Sequence, residues 1–373
     1  MFRLTSPLAR TRRLVGTPRH TSSLSRGSDP LRILFCGSDE FGCASLRALH
    51  GEHVRGGGLV EALDVMVLPA RKAGRGLKMV SQVPCKTLAE ELGLRIHQRE
   101  TFRMWDLPHG TNLVVVVSFG LFVPRRILSS AKYGGLNVHP SLLPDLRGPA
   151  PIHHALLRGD THMGISLQTL HDEAFDHGTI LAQTPSPGMP IPADASFQGM
   201  MHEAAAEGAA MLVQGLRDGL HVPPHRDVGW KAAHLEGKKL QHAPKITKAD
   251  GRIEPDWTAE QFARRIRVLG SVWTNAVSEK GVRKRVILLD AEPVMDEVVP
   301  EPREEATLVC EYEASDQRRR GPDRHERRVI TDDDGSCLIH VCGRTWIRVT
   351  KVKVDGKPQQ MAAMGLKSLV RPK

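Results

Sequence analysis

No stretch of this chain stays apolar over the roughly 20 residues that a helix needs to cross a bilayer, so a soluble protein with no membrane partner is expected. The 6 cysteines lack both the paired spacing of a zinc site and the density of a disulfide scaffold, and they read as reduced thiols. Cys337 and Cys342, on either side of an expected hairpin, read as small buried hydrophobes. Three signatures are also missing. Gly37 and Gly42 do not complete a G-x-G-x-x-G dinucleotide turn, and Ser141 has no G-x-S-x-G elbow. His139, His153, His154, His171 and His177 with Asp176 offer no helical pair in register with a third metal ligand, and no metal is expected. There is no internal repeat. Acid is nearly absent from residues 1–30, where Asp29 stands alone against Arg3, Arg10, Arg12, Arg13, Arg19 and Arg26 among many Ser and Thr. That composition suits a mitochondrial or plastid transit peptide, of which the mitochondrial one, with the matrix as destination, is the reading favoured; the other reading is a basic tail able to touch RNA.

What is present is length, positive charge and a change of periodicity along the chain. A chain of 373 residues is too long for one small core, which implies two domains. A net charge of +10 points to an anionic partner wherever the basic residues cluster. An apolar run at 31–35 is followed by a glycine turn and a helical pattern at 41–50. Residues 59–68 read as a second strand, 82–92 as a helix, and the LVVVVS run at 113–118 as a strand buried on both faces. Alternation of this kind predicts a doubly wound α/β domain with a parallel sheet, over 31–230, whose ligands bind beyond the carboxyl ends of its strands. Phe119-Gly120 and the segment after Leu136 fall at such ends.

Residues 193–222 read as helices closing this domain, and the polar 231–255 as a linker. From 256 to 373 a helix at 258–269 precedes strands at 285–289, 306–312, 337–341 and 346–354, a spacing that predicts a small β-barrel. The arginine-rich insertion at 316–334 reads as a loop. Another basic segment, 69–78, sets Arg71, Lys72, Arg75 and Lys78 among glycine and alanine. It is read as a mobile loop, either solvated or following a phosphate backbone.

The chemistry concentrates in residues 136–183. Moving a carbonyl group between two nitrogens requires an oxyanion to be stabilised, a proton removed from the attacking amine and one given to the leaving nitrogen. Asn137 supplies an amide donor, His139 an imidazole and Asp176 a carboxylate to orient it. An amide capping a strand end beside a satisfied histidine is the alternative.

The run Asn137-Val138-His139-Pro140-Ser141-Leu142-Leu143-Pro144, with Arg147-Gly148, Gly159-Asp160, Gly164 and Asp176-x-Gly178, resembles the active-site signature of the folate-dependent formyltransferases. That resemblance implies 10-formyltetrahydrofolate as formyl donor and catalytic roles for Asn137, His139 and Asp176. It also implies a folate site near Phe119, Gly120 and the Ser141, Leu142, Leu143, Pro144 loop. Ala73-Gly74-Arg75-Gly76-Leu77-Lys78 is similar to the basic insertion of the members that act on initiator Met-tRNA, whose second domain is an OB-like barrel. This implies tRNA contacts by Arg71, Lys72, Arg75 and Lys78, in a protein expected to be a monomer. A formyltetrahydrofolate hydrolase, another formyltransferase, or a silent RNA-binding relative would share much of this sequence. The turn Gly37-Ser38-Asp39-Glu40-Phe41 and the segment Gly270-Ser271-Val272-Trp273 depart from the family pattern.

Overall fold

The computed structural model describes residues 27–73, 79–235, 237, 239–295, 305–312, 323–343 and 345–372. Its first sheet contains β1 (Leu31–Gly37), β2 (Val60–Val67), β3 (Arg95–Gln98), β4 (Leu113–Val117), β5 (Gly135–His139), β6 (Ser166–Thr169) and β7 (Ile180–Gln183). The strands lie in the order β7-β6-β5-β4-β1-β2-β3. Strands β1 to β5 are mutually parallel, and β6 and β7 add an antiparallel edge.

Helices α1 (Glu40–Arg55), α2 (Pro84–Glu91), α3 (Arg125–Ser130), α4 (Pro151–Arg158) and α5 (Phe197–Arg217) cover this sheet. On one face Leu113, Val115 and Val117 of β4 pack with Phe41 and Leu46 of α1 and Met200 and Leu212 of α5. On the other, Val114 and Val116 meet Ile127 and Leu128 of α3 and Phe102. Both faces of β4 are therefore dry, which is why five consecutive apolar residues are tolerated there. The chain order reverses between β1 and β4, and that reversal opens a crevice at the carboxyl ends of the strands. Edge strand β3 escapes sequence reading because its RIHQ stretch is only half-buried and alternates weakly.

The second unit opens with α6 (Ala259–Leu269), started by a reciprocal Thr258–Gln261 capping box and stopped by Gly270 at φ 79°. Antiparallel strands β8 (Val272–Val277), β9 (Arg283–Leu288), β10 (Glu305–Tyr312), β11 (Asp323–Thr331), β12 (Cys337–Val341), β13 (Thr345–Val349) and β14 (Lys351–Val354) run in the order β13-β12-β11-β10-β8-β9-β14. They enclose a core of Val286, Leu288, Leu308, Ile339, Ile347 and Val352 with Trp257 and Phe262. The single strand expected at 346–354 is broken at Thr350, whose backbone N–H turns to Asp290 Oδ1 at 2.7 Å.

Charge misled the reading of 316–334. Residues 313–322 lie outside the described residues, but Asp323–Thr331 is strand β11, paired along its length with β10. Arg327 is buried in it, donating from Nη2 to the Pro255 carbonyl at 2.7 Å and to the Tyr312 hydroxyl at 3.2 Å. Of the two hairpin cysteines, Cys337 is buried and Cys342 exposed. In the basic segment, Arg71–Ala73 pairs with Met79–Ser81, so a hairpin base stands where a loop was expected; Arg75 and Lys78 lie outside the described residues.

The segment read as a linker is tied down. Gln241 O accepts from Leu146 N at 2.9 Å, and Ala243 exchanges backbone bonds with Arg147 and Ala150 at 2.7 and 3.1 Å. Ser28 and Asp29, which composition grouped with the presequence, are anchored too. Ser28 Oγ lies 2.7 Å from His221 Nε2, and Asp29 N donates to the Tyr133 hydroxyl at 2.8 Å.

Candidate active site

Asn137 and His139 stand two residues apart on β5, so a strand's alternation sends both to one face. Antiparallel β6 puts Gln168 opposite Asn137 and Ser166 opposite His139. Asp176 follows in the turn between β6 and β7 and takes a left-handed conformation at φ 58°. The turn closes tightly over β6. A Cβ on Gly178 would lie 1.7 Å from Thr169 O, so only glycine fits there.

These elements converge on one carboxylate. Asn137 Nδ2 donates to Asp176 Oδ1 at 3.2 Å, Gln168 Nε2 donates to the same oxygen at 3.3 Å, and His139 Nδ1 lies 3.4 Å from it. The Gly148 backbone N–H donates to Oδ2 at 2.9 Å, and Arg147 Nε donates to the Asp176 carbonyl at 2.8 Å. Burial pulls the Arg147 guanidinium below its ordinary value, with Asp176 opposing. On the far side of the imidazole, Nε2 lies 3.1 Å from Leu146 O. Both ring nitrogens thus face oxygen atoms. The His139 and Asp176 side chains are 7% and 10% exposed, enough to reach a ligand but with little room to reorient.

The trio lines a cavity of about 480 Å³ at the crevice between β1, β4 and β5. Val116, Phe119, Leu121 and Val123 make its apolar wall, Phe122 and Phe175 its aromatic one, and Asp39 and Ser118 add polar groups. Ser118, like Asp176, is a non-glycine residue at positive φ, here 50°, a strain that functional sites concentrate. Burial raises the Asp39 carboxyl above its ordinary range, opposed by hydrogen bonds from Gly42 N and the Ser118 side chain.

Of the folate residues suggested by sequence, Phe119 and Gly120 line this cavity. The Ser141 to Pro144 segment does not, because its polar atoms are spent in holding the loop. Ser141 Oγ donates to Asp145 O at 2.7 Å and Leu143 N donates to Ser166 Oγ at 3.1 Å, while Leu143 is 1% exposed and the Leu143–Pro144 peptide is cis. Ser141 and Leu142 face a neighbouring cavity of about 380 Å³ instead. Arg71 and Lys72 lie on the hairpin strand Arg71–Ala73.

Sequence reading missed Gln168 and His242. The signal for Gln168 was a polar residue inside the apolar run GISLQTL, and its meaning needs the register of β6 on β5. His242 reaches the cavity from the connecting segment and had no local signal at all.

Residues 31–216 match the family model for formyl transferase, and residues 245–368 match that for the formyl transferase C-terminal domain. A mitochondrial methionyl-tRNA formyltransferase of Saccharomyces cerevisiae is 32% identical over 295 residues, covering 69% of this chain and 72% of the relative. A methionyl-tRNA formyltransferase of Halorhodospira halophila is 36% identical over 249 residues, covering 65% and 74%. The crystal structure of WlaRD, a sugar 3N-formyl transferase, aligns with a TM-score of 0.52 at 11% identity over 89% of this chain and 100% of that one, a likeness of fold. Both of its halves carrying that kinship, the chain belongs to the formyl transferase family.

Proposed function

We propose that the protein transfers the formyl group of 10-formyltetrahydrofolate to the α-amino group of methionine on initiator tRNA, in the mitochondrial matrix. The observation that carries this reading is the convergence of an amide and an imidazole on one buried carboxylate inside a cavity walled by apolar strand ends. Asn137 donates from Nδ2 to the oxyanion that develops on the formyl oxygen, and the imidazolium of His139 adds positive charge beside it. Asp176 holds that imidazolium and takes up the proton lost by the attacking amine, directly or through water. A new C–N bond to methionine forms as the bond to N10 of the folate breaks, and the proton passes to that leaving nitrogen. Phe119, Gly120 and the walls from Val116 to Val123 receive the flat pteridine, while the Ser141 to Pro144 loop fixes His139 from behind.

The acceptor is suggested by the methionyl-tRNA formyltransferases among the relatives and by the net charge of +10. Arg71, Lys72, Arg75 and Lys78 engage the acceptor end. The catalytic unit spans 31–230, the connector 231–255 and the tRNA-binding unit 256–373, in a monomer without membrane attachment. The transit peptide ends upstream of Ser28, whose contact with His221 belongs to the folded protein.

Incubating the protein with 10-formyltetrahydrofolate and charged initiator tRNA is expected to yield formyl-Met-tRNA. Free formate released at an equal rate without tRNA would instead identify a hydrolase, and no turnover of either kind would identify a silent relative.

A further inference from the structure

Two of the thiols touch each other, behind the turn that carries Asp39 into the 480 Å³ cavity. Cys43 lies in the first turn of α1 and Cys85 in the first turn of α2, and their sulfurs stand 3.7 Å apart. Cys85 is fully buried, while Cys43 is 7% exposed.

The Cys85 sulfur sits in the elbow between β1 and α1. Cβ atoms on Gly37 and Gly42 would lie 3.0 and 3.1 Å from it, so these glycines leave it room. Its S–H donates to the Asp39 carbonyl at 3.4 Å, and the Cys85 backbone N–H donates to the Ser38 carbonyl at 3.3 Å. The same turn reaches the cavity on its other side. The Asp39 side chain lines it, and Ser38 Oγ donates at 3.3 Å to the carbonyl of Phe119, which lines it too.

The pair is polarised. A Cys43 thiolate accepts from the Cys85 S–H, which draws the Cys43 thiol below its ordinary value; burial, Glu40 and Asp39 oppose this, and Arg47 one turn along α1 assists. The same bond, then burial, pushes the Cys85 thiol up. Thiolates are the nucleophiles of sulfur chemistry, and Cys43 is the member of the pair that solvent touches. Cys43 is therefore the attacking sulfur and Cys85 the resolving one.

We infer that Cys43 and Cys85 form a reversible disulfide when the protein meets a peroxide, and that this bond draws on the Ser38–Asp39 turn and weakens folate binding. The Cys43 thiolate attacks one oxygen of hydrogen peroxide, the O–O bond breaks, and the other oxygen leaves as water after taking up a proton. Cys43 is then a sulfenic acid. The Cys85 sulfur attacks the Cys43 sulfur, the S–S bond forms as the S–O bond breaks, and a second water leaves with the proton of Cys85. The two thiols lose two electrons between them and the peroxide gains both. Closure brings the sulfurs from 3.7 Å to about 2.0 Å and removes the S–H that the Asp39 carbonyl accepts. The effect on turnover rests on the folate reading above, whereas the disulfide does not.

The test treats the full-length protein with hydrogen peroxide, in a Cys342→Ser background that removes the exposed thiol. Peptide mass mapping is expected to find a Cys43–Cys85 cross-link, two hydrogens lighter than the dithiol and reversed by dithiothreitol. In Cys85→Ala, Cys43 should stop at the sulfenic acid and be trapped by dimedone. After desalting, the oxidised protein should show a KM for 10-formyltetrahydrofolate raised about fivefold, which dithiothreitol restores. Cys43→Ala, unable to make the bond, should keep its KM through the same treatment. A pair that stays reduced, or Cys43 carried on to sulfinic acid beside a free Cys85, would overturn the inference. A disulfide that leaves KM unchanged would overturn its link to the cavity. If neither the reduced nor the oxidised protein transfers a formyl group, the proposed reaction fails while the cross-link stands on its mass.

Discussion

Gln168→Glu is the sharpest probe of the carboxylate cradle. The glutamine is 1% exposed and bridges two groups, donating from Nε2 to Asp176 Oδ1 at 3.3 Å and accepting from Gly178 N at 3.1 Å. The substitution keeps its shape and the acceptor for Gly178 but sets a second carboxylate oxygen against Asp176. At that separation, with an effective dielectric constant near 20, two unit charges repel by about 5 kcal/mol. The pair therefore retains a proton near neutral pH. Formyl transfer at pH 7 is expected to fall about 10- to 100-fold and to recover as the pH rises, moving the acid limb of the rate profile up by more than one unit. Single-turnover transfer to charged initiator tRNA between pH 5.5 and 9 reads this within the lifetime of the aminoacyl ester. Gln168→Leu serves as control: it removes the donor to Asp176 and leaves the Gly178 N–H unpaired, so it slows the reaction and shifts the limb upward much less than the added charge of the glutamate does. A Gln168→Glu profile superimposable on that of the wild type, in a folded variant, would show that this residue is not coupled to Asp176.

Other outcomes follow from the same geometry. His139→Ala should lower transfer about 1,000-fold while tRNA affinity, measured by filter binding, stays within a few-fold. Gly178→Ala puts a Cβ 1.7 Å from Thr169 O, and chemical denaturation should show a loss of about 3 kcal/mol or more. Arg75→Ala should raise KM for Met-tRNA and flatten its salt dependence at constant kcat; wild-type behaviour across the salt series would reduce the segment to a solvated surface. His221 is fully buried, and that burial, then His225, holds its imidazole down to about 4. A depressed histidine stabilises the fold above its unfolded value near 6.5, and this is lost as pH falls toward 4, a slope worth about 3 kcal/mol in total. His221→Phe should flatten that slope in urea titrations at successive pH values.

How much of this could be read in the sequence depends on how local the signal was. Leu113–Val117 announced a strand dry on both faces, and Asn137, His139 and Asp176 announced themselves through a compact motif. Gln168 did not, because it joins the site only through antiparallel pairing with β5. Residues 323–331 were misread because the solvated face of the strand carries Arg324, Glu326 and Arg328, and the buried Arg327 is satisfied by partners far away in sequence. Within the motif, the Leu143 N–H donates to Ser166 Oγ, a contact that needs the register of β6 to be seen.

The backbone bonds between residues 241–243 and residues 146–150 bear on how this protein can be divided. They hold the loop whose Gly148 N–H and Leu146 carbonyl position Asp176 and His139, and His242 beside them walls the cavity. The family-matched regions, 31–216 and 245–368, omit this strap altogether. A fragment cut at those boundaries would keep Asn137, His139 and Asp176 yet lose the clasp that aligns them. The smallest autonomous catalyst in this chain must extend through Pro244, so a truncation or domain-exchange chimera should place its junction beyond that residue.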